Sequence, residues 1–213
     1  MTLATWTLPE DLPAGKLPVT VTYLEMAEPP TGPAQPRPVG VDGPVHARNC
    51  PPAYYRFLYD TVGDPWLWEY RRRMAPERLA QILADPAVEV HVVAIEGVPA
   101  GYIELDAEKL AGDGPDGGTM EVAYFGLMPW AIGRGIGPWL LDWGVRRAWA
   151  TPAVRRLTVN TCTFDHPSAL GLYQRAGFRA LRTEDKLVDD PRLSGLLPLT
   201  AAPHIPLARR PQP

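Results

Sequence analysis

Apolar residues recur along the chain with two periods, and the switches between them predict the elements. Val19 to Met26, VTVTYLEM, is β-branched and aromatic and reads as a first strand. A proline-rich stretch over residues 29–52 leads to two helices. One runs from Pro51 to Gly63, its prolines suited to a first turn, and the other covers Pro65 to Asp85, with Leu79, Ile82 and Leu83 at helical spacing. Val88–Ile95 and Ala100–Leu105 form a hairpin across Glu96-Gly97-Val98-Pro99, and the glycine-rich, acidic run Asp113–Gly118 is a flexible turn before a strand over Met120–Met128. Ile136, Leu140, Leu141, Val145 and Ala148 then mark a helix over Ile136–Ala150, ended by Thr151-Pro152. A strand over Leu157–Phe164, a helix over Ser168–Ala176 stopped by Gly177, and a strand over Arg179–Val188 complete the order β-α-α-β-β-β-α-β-α-β.

The most telling junction lies between the strand ending near Met128 and the helix from Ile136. Gly133, Gly135 and Gly137 clear side chains from a loop that runs straight into a helix N-terminus, where unpaired N–H groups and the positive end of the helix dipole favour an anion. Spacing narrows the choice of anion. A dinucleotide fingerprint from Gly133 needs glycine at 138, which is Pro138, and the G-K-Ser/Thr ending of a Walker A loop is absent.

Ile132-Gly133-Arg134-Gly135-Ile136-Gly137 resembles the coenzyme loop of the GNAT superfamily of acetyl-CoA-dependent N-acetyltransferases. That loop carries Gln or Arg, two free positions, Gly, one free position, then Gly or Ala. Ile132 departs from the first position, which leaves the backbone N–H groups and Arg134 to hold the coenzyme. A second run, Ser168 to Phe178, resembles the family's later helix through Ala169, Leu172, Tyr173, Gly177 and Phe178. The resemblance covers residues 88–188 and implies an α/β fold of GNAT type: a mixed central sheet whose parallel strands, near Met120 and Leu157, splay apart, with flanking helices.

The resemblance implies acyl transfer, and each task of that reaction has a candidate residue here. Acyl transfer from a thioester to an amine needs a polarised carbonyl, a deprotonated amine and a protonated leaving thiolate. Backbone N–H groups near Gly126 and Leu127 would serve the carbonyl. Glu121 lies eleven residues before Ile132, the offset of the general base in the histone-acetylating branch. Tyr173 stands at the position whose hydroxyl faces the coenzyme sulfur in relatives, and a phenol can protonate a thiolate. His166 stands where relatives place Asn beside the coenzyme, and Asp165, His166 or water are substitutes for Glu121 as base. The bland readings are an exposed strand Glu at 121, a helix-start residue at 166, and packing at Gly177 and Phe178. Tyr54, Tyr55, Tyr59, Trp66, Trp68 and Tyr70 form an aromatic wall suited to an aromatic or hydrophobic amine, to a caged cation, or to plain core packing.

Composition bounds the rest. A net charge of −3 argues against nucleic acid, and the Arg71–Arg73 run reads as a solvated helix face or as a cation near coenzyme or acceptor. Cys50 and Cys162 have no metal or disulfide spacing. The first residues carry neither a leader pattern nor an apolar run of membrane length, so a cytoplasmic protein is expected. Prolines, 26 in 213 residues, gather in 29–52 and 189–213, segments expected to wrap the surface or fray. The division expected is an extended arm over 1–18, an acetyltransferase domain over 19–188 and a proline-rich tail over 189–213. Acetyl-CoA as cosubstrate, no metal, a small-molecule amine as acceptor and room for a homodimer complete the expectation. The rivals are a protein or peptide amine acetyltransferase and a degenerate acyl-CoA-binding regulatory module.

Overall fold

A computed structural model describes residues 6–107 and 118–210 of the protein, so the turn expected over residues 113–118 lies outside the described residues except for Gly118, as do residues 1–5 of the arm and 211–213 of the tail. Seven strands form one mixed sheet: β1 (Lys16–Met26), β2 (Val41–His46), β3 (Val88–Ile95), β4 (Val98–Asp106), β5 (Thr119–Leu127), β6 (Arg156–Cys162) and β7 (Arg179–Asp189). Their order across the sheet is β2-β3-β4-β5-β6-β1-β7. The helices are α1 (Pro52–Gly63), α2 (Tyr70–Arg73), α3 (Pro76–Ala84), α4 (Ile136–Trp149) and α5 (Ala169–Arg175). No helix among the described residues is long and apolar enough to cross a membrane.

The centre of the sheet is buried on both faces because helices cover both. On β4, Tyr102 and Glu104 face α1 while Ile103 faces α4, whose apolar stripe of Ile136, Leu140, Leu141, Val145 and Ala148 is fully buried. The β3–β4 turn is tighter than the pattern predicts. Ile95 pairs directly with Val98, and Glu96 and Gly97 both have positive φ, at 50° and 79°, the geometry of a two-residue hairpin.

Three other expectations are corrected. The second helix is broken into a short turn of 3₁₀ helix at Asp64–Trp66, then α2 and α3, because Pro76 cannot donate and restarts the helix at its own first turn. The Arg71–Arg73 run is not a solvated face: Arg71 is buried against Glu104 at 2.5 Å, Arg72 pairs with Asp60 and Asp64, and Arg73 pairs with Glu69. The stretch before α1 contains β2, an edge strand whose ladder with β3 shifts register between Asp42 and Val45, around Gly43-Pro44.

The first strand is also placed unexpectedly. β1 pairs antiparallel with both β6 and β7, so the start of the chain holds its last two strands together. Residues 190–208, which carry neither helix nor strand, build a second small core. Leu197, Ala202 and Ile205 join Leu17, Val19, Leu67 and Phe164 there. With no regular structure to pair their carbonyls, those residues need another donor. Arg192, only 3% exposed, supplies it: its guanidinium grips Asp190 at 2.8 and 2.9 Å and donates to the carbonyls of Ala201, Ala202, Ile205 and Pro206.

The strand geometry that matters most for function is the ladder between β5 and β6, which is parallel and short. Thr119, Met120 and Glu121 pair with Arg156, Leu157 and Thr158, and no further pair follows. On its other side β5 stays paired with β4 as far as Leu127, with Ala123 bulged out between Val122 and Tyr124. A wedge therefore opens between the two strands beyond Glu121.

Candidate active site

That wedge is the floor of a cleft of about 710 Å³, whose lining includes β5 from Val122 to Leu127, Asn160 and Cys162 of β6, the glycine loop, α5 and the segment from Trp66 to Tyr70. The loop is shaped by backbone conformation. Ile132 is extended, and Gly133 and Gly135 have φ of 84° and 75°, a region that L side chains rarely enter. A Cβ built on either glycine meets nothing within 4 Å, so the space above the loop is open. Gly135 is the N-cap of α4 and offers no side-chain hydrogen bond to the first turn.

The cleft gathers most of the residues singled out from sequence. Gly126, Leu127, Ile132, Gly133, Gly135, Gly137, His166 and Tyr173 all line it. Gly126 is there for closeness, since a Cβ would sit 2.3 Å from a Val62 methyl of α1. Three residues do not line it. Ile136 is fully buried and anchors α4 in the core. Arg134 lies over the Trp130 ring, 5.4 Å from its centroid. Glu121 sits at the closed end, among the last paired residues, where Asn160 Nδ2 donates to its Oε1 at 3.5 Å.

Tyr173 is 6% exposed, with its ring 6.2 Å from that of Phe125 and 6.0 Å from that of Phe178. Burial, and after it the negative charge of Asp165, push its phenol well above the ordinary value. Asp165 is held by three donors: Trp68 Nε1 at 3.1 Å, Thr161 Oγ1 at 2.8 Å and the Cys162 N–H at 2.9 Å. His166 faces the cleft and also shapes the turn beside it. It lines the cleft, and its Nδ1 accepts the Ser168 N–H at 3.1 Å in the turn that leads into α5. Burial lowers its pKa.

The sequence profile of the acetyltransferase (GNAT) family matches residues 55–178, the span that contains the loop, the wedge and Tyr173. The chain belongs to the acetyltransferase (GNAT) family. Among solved structures it is similar to a GCN5-related N-acetyltransferase from Sphaerobacter thermophilus, with TM-score 0.55 and 20% identity over 82% of this chain and 53% of that one. It is likewise similar to a GCN5-related N-acetyltransferase from Kribbella flavida, with TM-score 0.52 and 19% identity over 85% of this chain and 63% of that one. The likeness shows the fold, and the chain spans just over half to under two thirds of the length of these two proteins. A comparison with curated proteins gives no match.

In this GNAT chain several cleft residues escaped the sequence reading, among them Glu69, Tyr124, Asn160 and Arg175. Arg175 lines the cleft from the last turn of α5, one turn beyond Leu172, and helical spacing from Leu172 would have found it. Asn160 lies two residues before Cys162 on the same face of β6. The aromatic wall divides. Tyr59, Trp66, Trp68 and Tyr70 line the cleft together with Tyr124, whereas Tyr55 is fully buried, its hydroxyl donating to Glu104.

Proposed function

We propose that the protein moves an acetyl group from acetyl-CoA to the amine of a small molecule by direct attack in a ternary complex. The observation that carries this reading is that the uncapped glycine loop of α4 and the buried hydroxyl-bearing Tyr173 open on one cleft, beyond the end of the β5–β6 ladder.

The loop fits a pyrophosphate. Positive φ at Gly133 and Gly135, open space above both and a helix of 14 residues behind them present N–H groups to an anion. Arg175 is the cation nearest in function, lining the same cleft. Bound acetyl-CoA supplies the acetyl group as an activated thioester. The Met128 N–H is spent on Ala100 O at 2.9 Å, so strand alternation turns the Leu127 N–H toward the wedge, where it can polarise a carbonyl.

Tyr173 keeps its proton through the neutral range because burial raises its pKa, which makes it a hydrogen-bond donor. A thiol's ordinary pKa is about 8.5, so a complete transfer from this phenol is uphill. Its role is to donate a hydrogen bond to the departing sulfur, with the proton made good from solvent. The acceptor amine loses one proton as the N–C bond forms, and the sulfur gains one as the C–S bond breaks. Glu121, at the closed end of the wedge and bonded to Asn160, draws the amine proton through water.

A small-molecule acceptor is favoured over a lysine side chain of a protein because the acceptor half is walled by the rings of Tyr59, Trp66, Trp68, Tyr70 and Tyr124. A thermal-shift screen of amines with acetyl-CoA, followed by thiol-release assays, tests the reading. Saturating coenzyme should stabilise the fold, by about 2.7 kcal/mol at a hundredfold excess over Kd. No shift and no thiol release with any amine would contradict it.

A further inference from the structure

Among the described residues, the acceptor half of the cleft holds many rings and two carboxylates, Glu69 and Asp165, each of which already has a partner. Tyr59, Trp68 and Tyr124 pack on one another with centroids 5.1 to 5.4 Å apart. Trp66 stands edge-on between His166 and His204, at 5.3 and 5.4 Å, and Tyr70 is 66% exposed at the mouth. Such a surface takes either a cation on a ring face or an apolar body against the rings.

Three observations decide between them. The Arg71 guanidinium already lies 5.2 Å from the Tyr124 centroid, held from behind by fully buried Glu104 at 2.5 Å, so this ring cluster has its cation. Among the described residues, the two carboxylates that line the cleft each have a cation or donors in place: Glu69 Oε2 takes the Arg73 guanidinium, at 2.9 and 2.5 Å, and Asp165 accepts three bonds. His166 offers no negative charge either. A second positive charge on an acceptor would enter this half without a partner, which is costly once water is expelled.

We infer that the acceptor is a monoamine with an aromatic body, an arylalkyl primary amine whose ring packs against Trp66, Trp68 and Tyr70. The inference rests on the acetyl-transfer reading and narrows its substrate class; polyamines, aminoglycosides and lysine peptides are outside it.

The test is a thiol-release assay at fixed acetyl-CoA with 2-phenylethylamine, tryptamine, n-propylamine, spermidine, an aminoglycoside and a lysine-containing peptide, with acetyl-CoA binding measured separately by calorimetry. The expected result is kcat/KM for the two arylalkylamines about 10² above that for spermidine, the aminoglycoside and the peptide. Tyr70→Ala and Trp66→Leu should each narrow the preference for 2-phenylethylamine over n-propylamine by about tenfold, a ratio that a partly folded preparation leaves alone. Faster turnover of a polycation or peptide, an equal rate for n-propylamine, or no turnover of any amine by a protein that binds the coenzyme would overturn the inference and leave the coenzyme site standing. Absence of coenzyme binding would overturn both.

Discussion

Trp68 donates its indole N–H to Asp165 Oδ1 at 3.1 Å, and this bond ties the loop after α1 to the turn after β6, both of which line the cleft. The other carboxylate oxygen accepts from Thr161 Oγ1 and the Cys162 N–H. An acceptor already holding three donors is a brace, with little capacity left to take a proton from substrate. Asp165→Ala should therefore lower stability by about 2–3 kcal/mol through the donors it orphans, read as a fall in Tm of roughly 5–10 °C. Asp165→Asn, which keeps an acceptor oxygen, should lose less. A wild-type Tm in Asp165→Asn together with a collapse of kcat would instead make Asp165 the base.

The coenzyme loop makes a sharper demand. Gly135 has φ 75° and ψ 2°, a conformation that a β-branched residue adopts only under strain, and it stands at the N-terminus of α4. Gly135→Val should fold, with a loss of about 1–2 kcal/mol, yet lose acetyl-CoA affinity by at least tenfold in calorimetry. Undiminished affinity in the folded variant would move the cradle elsewhere.

Such local features were legible in the sequence for a physical reason: glycines with positive φ, a helix stripe and a tyrosine before Gly-Phe are all encoded within a few residues. Gly177 ends α5 with φ 106°, and Phe178 packs on Tyr173, as the dipeptide implies. What stayed hidden depends on distant partners. Nothing in VTVTYLEM says that β1 inserts between β6 and β7, nor that Arg192 will organise the carbonyls of residues 201–206. β2 escaped because Gly43-Pro44 interrupts its alternation, which an edge strand tolerates. The burial of Arg71 was invisible because its partner, Glu104, sits 33 residues away on a strand.

At the fork of the wedge, Glu121→Gln tests the base. If Glu121 takes the amine proton through water, kcat/KM should fall by about 10² near neutral pH and the deficit should shrink toward pH 10, where the free amine is deprotonated unaided. A loss that stays constant across that range would assign Glu121 to holding Asn160 in place.

The histidines make a separate prediction about pH and stability. His91, His166 and His204 are each held below the ordinary value of about 6.5, with burial the largest cause in every case. Around His91 the groups are Glu89 at 2.8 Å, His46, Arg147 and Trp143. Just below pH 6.5 the unfolded chain binds protons that the folded chain refuses, so stability is full above that value and declines as pH drops toward the folded pKa values. Tm should fall between pH 7 and 5.5, and His91→Gln should flatten the slope. A Tm that rises on acidification would contradict these burial effects.

Tyr173→Phe isolates the role of the hydroxyl, because it removes that group alone and keeps the ring that packs against Phe125 and Phe178. Thiol release is to be measured with the preferred amine, under conditions where chemistry limits the rate, alongside acetyl-CoA affinity by calorimetry. A hydroxyl that bonds the departing sulfur should cost about 10² in kcat when removed and leave affinity little changed, the pattern of an interaction made mainly in the transition state. Equal kcat for wild type and Tyr173→Phe would contradict it and leave Tyr173 as packing alone.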